Sequence, residues 1–292
     1  MKDINANLQN LQDDHLYHLG IHYTKEELKE KFGDVKFVCM GGTEHRMESF
    51  AKYLVKELNY KLPTGVCLEN ISLSSHRFAM YKVGSVISVS HGMGAPSLSI
   101  LLNELIKLLH YAEAKDPIFI RIGTSGGLGH DPGTLIVTRR PVNPDLSYEY
   151  KTLILGKERE FPAVLDEKVA KELCDLGEQI GFKITSGDTV CCNDFYEGQG
   201  RLDGPFCDYG ESDKMSYLGW LKKHGVSNIE MESVAFGAIT HRAGIRSGIV
   251  CVAFVNRLNG DQLTNNKEDL EAWQLRPQKL VTAYIKKTLS LN

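Results

Sequence analysis

The stretch IRIGTSGGLG, residues 120–129, decides how the rest of the sequence is interpreted. The apolar run that leads into it, at 117–122, is typical of a buried β-strand, but it contains Arg121 where such a strand normally carries Val, Ile or Leu. An unpaired buried guanidinium is costly, so Arg121 needs an anionic partner. The hydroxyls of Thr124 and Ser125, with the glycines that follow, are typical of an oxyanion or sugar site at a strand end. The alternative is an ordinary glycine-rich turn with a salt-bridged arginine, and the stretch alone leaves both open.

Composition limits the class of protein. The chain has 292 residues, 42% hydrophobic and 24% charged, which suits one large α/β domain or two small ones. A net charge of −3 disfavours nucleic acid as the main partner. The N-terminus lacks the apolar core of a signal peptide, and no apolar run reaches the roughly 18 residues that suggest a membrane span. The seven cysteines are scattered without a C-x-x-C pair, so we expect reduced, mostly buried thiols in a cytoplasmic protein, with no metal site.

A second glycine turn lies near the N-terminal end. A strand-like run at 35–40 ends in the sequence Gly-Gly-Thr, and a helix-like stretch follows at 44–58. Free backbone N–H groups and the helix dipole make such a helix start attractive to an anion. Arg46 lies in the first turn, where a cation is unfavourable unless an anion joins it. We therefore interpret Arg46 as a ligand residue, with an ordinary surface arginine as the alternative.

The periodicity of apolar residues predicts the remaining elements. Strands are expected at 66–72, 78–83, 85–90, 134–138, 186–191 and 249–255, and helices at 97–114, 165–180, 211–224 and 234–243. Gly84 predicts a hairpin between two of these strands, and residues 140–165 are predicted to be irregular and exposed. Pro277 is expected to kink or break a final helix.

Residues 1–34 are predicted to be a partner-facing arm, distinct from the main domain at 35–292. Thr24 is expected to cap a short helix within the arm. The arm also carries His15, His18 and His22, but Gly20 interrupts their helical spacing, so we do not expect them to bind metal.

Two later stretches carry polar groups suited to a nucleoside. The loop NDFYEGQGRLDG, residues 193–204, combines aromatic side chains with Gln199 and Arg201, which can hydrogen-bond a planar heterocycle while an aromatic ring packs on its face. In NIEMES, residues 228–233, Glu230 and Glu232 lie where a strand passes into a helix. A carboxylate there can accept two hydrogen bonds from the vicinal diol of a ribose.

These residues carry a resemblance to a known family. From about residue 30 onward the chain resembles the animal-type uridine phosphorylases of the nucleoside phosphorylase-I family. GMGAPSLSILLNEL, residues 92–105, matches the family signature, and DFYEGQGRLDG, residues 194–204, is similar to the segment that reads uracil. The resemblance implies an α/β fold, a single-domain αβα sandwich whose central mixed, partly barrel-like sheet is flanked by helices.

The resemblance also implies an activity. Uridine and phosphate would be converted reversibly to uracil and ribose 1-phosphate in pyrimidine salvage, with secondary activity on deoxyuridine or thymidine and no cofactor besides the co-substrate phosphate. One alternative is another nucleoside preference, including a purine nucleoside phosphorylase, which Gln199 and Arg201 disfavour. The other is a non-catalytic nucleoside-binding protein, for which we would expect a phosphate arginine to be missing, whereas Arg46, Arg77 and Arg121 are all present.

Site residues follow from the same resemblance, position by position. It places phosphate on Gly42, Arg46, Arg121, Thr124 and a neighbouring subunit's Arg77; ribose on Met231, Glu232 and a neighbouring subunit's His18; and uracil on Phe195, Gln199 and Arg201. Arg121, Arg201 and Glu232 are the expected catalytic residues, and the shared sites imply a homodimer. Phe78 stands where bacterial relatives carry a potassium-binding glutamate, so no metal is expected.

Overall fold

The computed structural model describes residues 1, 4–10, 14–62, 65 and 67–291. The strands within them are β1 (Phe37–Gly41), β2 (Met80–Val83), β3 (Val86–Ser90), β4 (Ile118–Gly127), β5 (Leu135–Val142), β6 (Glu149–Ile154), β7 (Lys157–Pro162), β8 (Ile184–Cys191), β9 (Val226–Glu230) and β10 (Arg246–Asn256). The α-helices are α1 (Lys25–Phe32), α2 (Glu44–Glu57), α3 (Gly94–Tyr111), α4 (Glu167–Gln179), α5 (Glu211–Lys223), α6 (Ser233–Arg242) and α7 (Lys267–Thr288).

The main sheet is mixed and partly closed. Its strands lie in the order β10-β5-β8-β9-β4-β1-β3-β2, and β10 also pairs with β4. That extra pairing is parallel, from Ile118 opposite Arg246 to Gly127 opposite Asn256, and it closes five strands into a barrel. The strands β1, β3 and β2 extend beyond the barrel as an open wing. The mixed, partly barrel-like sheet implied by the resemblance is confirmed.

Strand β1 shows why helices cover both faces of the sheet. Its side chains alternate between two apolar clusters: Phe37 and Cys39 pack with residues of α2, α4 and α7, whereas Val38 and Met40 pack with residues of α1, α3 and α6. All five of its residues are buried, as expected for a strand covered on both sides. The αβα layering follows from this division of the core.

The predicted hairpin at Gly84 is confirmed, because β2 and β3 pair antiparallel around it. The strand predicted at 66–72 is wrong, since the described residues 67–72 form no strand. The Asn70 side chain instead accepts hydrogen bonds from the backbone N–H groups of Ser72 and Met80, which holds this segment in a turn.

The prediction of an irregular region at 140–165 is also wrong. Strand β5 continues to Val142, and β6 and β7 form a two-stranded antiparallel ribbon from Glu149 opposite Pro162 to Ile154 opposite Lys157. Most of the ribbon is exposed, so its sequence lacks the apolar alternation that marks a half-buried strand.

Of the kink or break predicted at Pro277, the break is wrong, because α7 continues to Thr288, while a kink stays a prediction. Proline removes one intrahelical hydrogen bond. The fully buried side chains of Leu280, Val281 and Ile285, one to two turns further on, anchor the helix to the core.

The capping of α1 is confirmed: the Thr24 hydroxyl accepts from the N–H of Glu27, whose carboxylate accepts from the N–H of Thr24. Just before the helix, Leu16 and Leu19 are buried in the same cluster as α3. This part of the N-terminal segment therefore contributes to the domain core. Its partner-facing role stays a prediction.

Candidate active site

A cavity of about 560 Å³ lies beside the ends of β1, β3 and β9. It brings together nine of the predicted site residues from widely separated parts of the chain, namely Gly42, Arg46, Arg121, Thr124, Phe195, Gln199, Arg201, Met231 and Glu232. The two residues assigned to a neighbouring subunit, His18 and Arg77, do not line it. On this chain His18 Nδ1 lies 2.6 Å from the Glu104 carboxylate, and Arg77 is exposed.

One end of the cavity is the start of α2. Thr43 caps this helix by accepting a hydrogen bond from the N–H of Arg46 at 3.4 Å. The Arg46 Nε is buried without a hydrogen-bond partner among the described residues. Burial and the nearby Arg121 lower the pKa of Arg46, so its charge is electrostatically unfavourable beside the positive end of α2. This end of the cavity is therefore suited to an anion.

The floor of the cavity is a buried arginine between two carboxylates. Arg121, 3% exposed, lies with Nη1 2.8 Å from Glu230 Oε2 and donates from Nη2 to Glu232. A Cβ at residue 123 would lie 2.7 Å from Cys251 Sγ and 3.0 Å from Arg121 Nη1, so glycine leaves room for this arrangement. The anionic partner required by Arg121 is thus supplied by the chain itself. The sequence left two interpretations of Arg121 open, a ligand site and a salt bridge. The structure shows the salt bridge, and it places Arg121 in the cavity wall as well.

The surroundings shift the pKa values of Glu230 and Glu232 in opposite directions. Burial and the neighbouring Glu232 raise the pKa of Glu230, against the opposing effect of Arg121. Burial alone would also raise the pKa of Glu232, but Arg121, His91 and the N–H of Gly94, which donates at 2.6 Å, together lower it. Glu232 is therefore an anion that faces the cavity and still has lone pairs to accept hydroxyl donors.

The other end of the cavity is the loop predicted to read a base. Arg201 donates from Nε and Nη2 to the two carboxylate oxygens of Asp203, both at 2.9 Å, and its guanidinium lies 4.4 Å from the centre of the Phe195 ring. The residues Glu197–Gln199 form a short 3-10 helix, and Gly200 at φ +63° turns the chain after it. The glycines of this loop thus shape a turn.

A buried polar cluster behind this loop was not predicted from sequence. Asp261 accepts hydrogen bonds from Lys214 Nζ at 3.0 Å, Arg257 Nε at 3.0 Å and the N–H of Leu202 at 3.1 Å. Arg257 is 1% exposed and donates to the backbone oxygen of Gln199 at 2.8 Å. The stretch NRLNGDQ, residues 256–262, reads as a polar surface loop. Its only sequence signal was the Arg and Asp four residues apart.

Sequence reasoning also missed His91, which precedes the first glycine of the GMG turn. Its side chain is 1% exposed and lines the cavity. Burial and the charge of Arg121 lower the pKa of His91 to about 3, so the imidazole is neutral near pH 7.

The described residues contain neither a metal-binding cluster nor a membrane-spanning helix. No group of three or more His, Cys, Asp or Glu side chains within them could hold a metal ion. No helix among those same residues is long and apolar enough to cross a membrane.

Comparisons with known proteins agree with this geometry. The model of the phosphorylase superfamily matches residues 36–286. A protein of Caenorhabditis elegans named uridine and thymidine phosphorylase is 47% identical over 94% of this chain and 91% of its own. The crystal structure of uridine phosphorylase from Schistosoma mansoni in complex with uracil superposes with a TM-score of 0.94 at 40% identity, covering 99% of this chain and 100% of that one. A second Schistosoma mansoni relative, 39% identical over 97% of this chain and 95% of its own, is named inactive uridine phosphorylase B.

The match to the family model covers most of the chain. The chain therefore belongs to the phosphorylase superfamily and, within it, to the uridine phosphorylases of animal type.

Proposed function

We propose that this protein catalyses the reversible phosphorolysis of uridine to uracil and ribose 1-phosphate, with secondary activity on thymidine and deoxyuridine. The observation that carries the proposal is the cavity itself. It joins an anion-attracting helix start at Arg46, an ionised Glu232 and the Gln199–Arg201 loop within one volume. Membership in the uridine phosphorylases supports the same assignment.

Phosphate binds at the α2 end in this proposal. The backbone of Gly42, the guanidinium of Arg46 and the hydroxyl of Thr124 supply donors to its oxygens, and Arg121 adds positive charge from below. A bound anion also offsets the unfavourable charge of Arg46, whose buried Nε has no hydrogen-bond partner within the described part of the chain. Fixing the nucleophile beside the sugar is a proximity effect that contributes strongly to rate.

The ribose lies over Met231 and Glu232, with its hydroxyls donating to the Glu232 carboxylate. As the bond between C1′ and N1 breaks, an oxygen of HPO4²⁻ forms the new bond to C1′ and the bonding electrons leave with uracil. The uracil anion then takes a proton at N1 from solvent, and the new phosphate ester gives its proton up to solvent. The sugar develops oxocarbenium character in this transition state, as in glycoside cleavage generally. The negative charge of Glu232 then stabilises the sugar more strongly than in the ground state.

Uracil meets Gln199 and Arg201, with Phe195 against its ring. Gln199 suits the adjacent O2 and N3–H, because an amide both donates and accepts. Arg201 donates to O4, which gains negative charge as the ring leaves. The bidentate Asp203 holds the Arg201 guanidinium in place for this contact.

A homodimer completes each site in this proposal. His18 and Arg77 are absent from the cavity of their own chain, so a neighbouring subunit would supply them to ribose and phosphate. Phosphate is a co-substrate, no cofactor takes part, and we expect the enzyme to act in the cytoplasm.

The test is the loss of uridine absorbance with and without phosphate. We expect turnover only with phosphate, no turnover of purine nucleosides, and strongly reduced turnover in an Arg46→Met variant. A nucleoside-binding protein without catalysis would bind uridine and leave it intact. Phosphate-independent cleavage, or none at all in folded protein, would overturn the proposal.

A further inference from the structure

His91 lies in the cavity wall near Arg46, Arg121 and Glu232, the residues proposed above to bind phosphate and ribose. It directly follows β3, whose last residue Ser90 is in register with Gly41 at the end of β1. The N–H of His91 donates to the carbonyl of Gly41 at 2.8 Å, and its own carbonyl accepts from the Ser97 hydroxyl at 2.6 Å. The backbone at His91 is therefore fixed on both sides, which sets the direction of its side chain.

The imidazole is buried but unsatisfied. Neither Nδ1 nor Nε2 has a hydrogen-bond partner among the described residues, although the side chain is 1% exposed and belongs to the cavity wall. Buried polar atoms are nearly always paired, so an orphaned pair at a cavity wall points to a ligand that completes it. The mechanism proposed above does not use this residue.

The neighbours of His91 indicate which ligand atom it meets. Arg121 and Arg46, both at the phosphate end, and Glu232 are the charged groups near its ring. Glu232 already accepts hydrogen bonds from the N–H of Gly94 and from Arg121, and His91 donates none to it. Two guanidiniums beside one neutral ring favour an anion next to that ring.

We propose that His91 is a phosphate-binding residue, which donates a hydrogen bond from one ring nitrogen to an oxygen of the phosphate nucleophile. A neutral imidazole can donate there without adding a third positive charge to Arg46 and Arg121. This inference rests on the proposed function, since it assigns a further contact to the phosphate of that reaction.

The test compares His91→Leu, which removes the donor, with His91→Asn, which keeps an N–H donor on a shorter side chain. The matched control is Thr134→Val. Thr134 Oγ1 is likewise buried without a partner among the described residues, but Thr134 does not line the cavity. For each folded variant, KM is measured separately for phosphate, uridine and deoxyuridine, and inorganic phosphate is titrated by calorimetry.

We expect His91→Leu to raise the KM and the dissociation constant for phosphate about tenfold or more, the usual effect of losing a hydrogen bond to a charged group. His91→Asn should recover part of this loss, and Thr134→Val should change neither value. Unchanged phosphate affinity in both His91 variants would overturn the inference. So would a loss confined to uridine and absent with deoxyuridine, which would place the ring at the 2′-hydroxyl instead.

Two features keep the test informative. If His91→Leu does not fold, the ring nitrogens of the unmodified protein can be followed by ¹⁵N NMR, assigned through His91→Asn. Phosphate should then shift one His91 nitrogen, and no shift at saturating phosphate would overturn the inference. If the unmodified protein binds phosphate but does not cleave uridine, the proposed function fails while the His91 contact is still decided by the binding data.

Discussion

The buried arginine offers the sharpest prediction about stability. Arg121→Met replaces the guanidinium with an uncharged side chain and leaves Glu230 and Glu232 next to each other, with side chains only 2% and 7% exposed. Breaking a buried ion pair by removing one partner usually costs about 3–5 kcal/mol. Natural domains have only about 5–15 kcal/mol of stability, so the loss is a large part of the total.

The pH dependence of this loss follows from the two carboxylates. In the unmodified protein the pKa of Glu232 is lowered, so it contributes stability above the unfolded-state pKa of about 4.3, and that contribution is lost as pH falls below it. Without Arg121, the folded-state pKa of Glu232 should rise above the unfolded value, and that of Glu230, which is already raised, should rise further. As pH falls, protonation of one of the two carboxylates then removes the repulsion between them and lowers the stability deficit of the variant. The difference in unfolding free energy should therefore be largest near pH 7.5 and smaller near pH 5.5.

Urea unfolding at pH 7.5, 6.5 and 5.5 measures this difference. The control is Arg46→Met, which removes a cavity arginine that has no carboxylate salt bridge among the described residues and should leave unfolding free energy nearly unchanged. Equal losses in the two variants, or an Arg121→Met deficit independent of pH, would refute the reasoning.

Three further predictions concern the proposed reaction. Cytidine should be cleaved up to about ten-thousandfold less efficiently than uridine, because its position-4 amino group and its lack of an N3 proton cannot pair with Gln199 and Arg201. Gln199→Leu should fold but lose most uridine turnover, and similar kcat/KM values for uridine and cytidine would contradict this account of base recognition. Arg121→Ala should lower activity by at least about a hundredfold. Mixing Arg121→Ala protomers with Arg77→Ala protomers should restore some activity, because one of the two shared sites in each heterodimer is then intact; no recovery after verified subunit exchange would argue against shared sites. Lys214→Met removes one ion-pair partner of Asp261, so KM for uridine should rise about fivefold or more while KM for phosphate stays constant; equal changes in both would indicate a general structural role.

Much of the fold was predictable because its strongest signals are local. The hairpin at Gly84, the cap at Thr24 and the helix predicted at 97–114, observed as α3, each depend on residues close in sequence, and the structure confirms them. The β6–β7 ribbon was missed because an exposed ribbon needs no apolar alternation. The continuity of α7 depends on tertiary packing that a lone Pro277 does not reveal.

The candidate site likewise contains some residues that the sequence predicted and others that it did not. The residue types at Arg46, Gln199 and Glu232 indicate anion, base and diol contacts from the sequence alone, and the structure brings these side chains to one cavity. The burial of Arg257 and His91 could not be predicted from the sequence. Arg257 was therefore interpreted as part of a polar loop, and His91 as part of a glycine turn. The internal partners of Arg121 likewise depend on a strand far away in the chain.

The most direct test of the account is a crystal structure of the protein with uracil and phosphate bound together. We expect phosphate between the start of α2 and Thr124, in contact with Arg46, and the uracil ring in contact with Gln199 and Arg201 in the same cavity, with a neighbouring subunit's Arg77 reaching the phosphate. Phosphate bound away from Arg46, or uracil bound without contact to Gln199, would contradict the account.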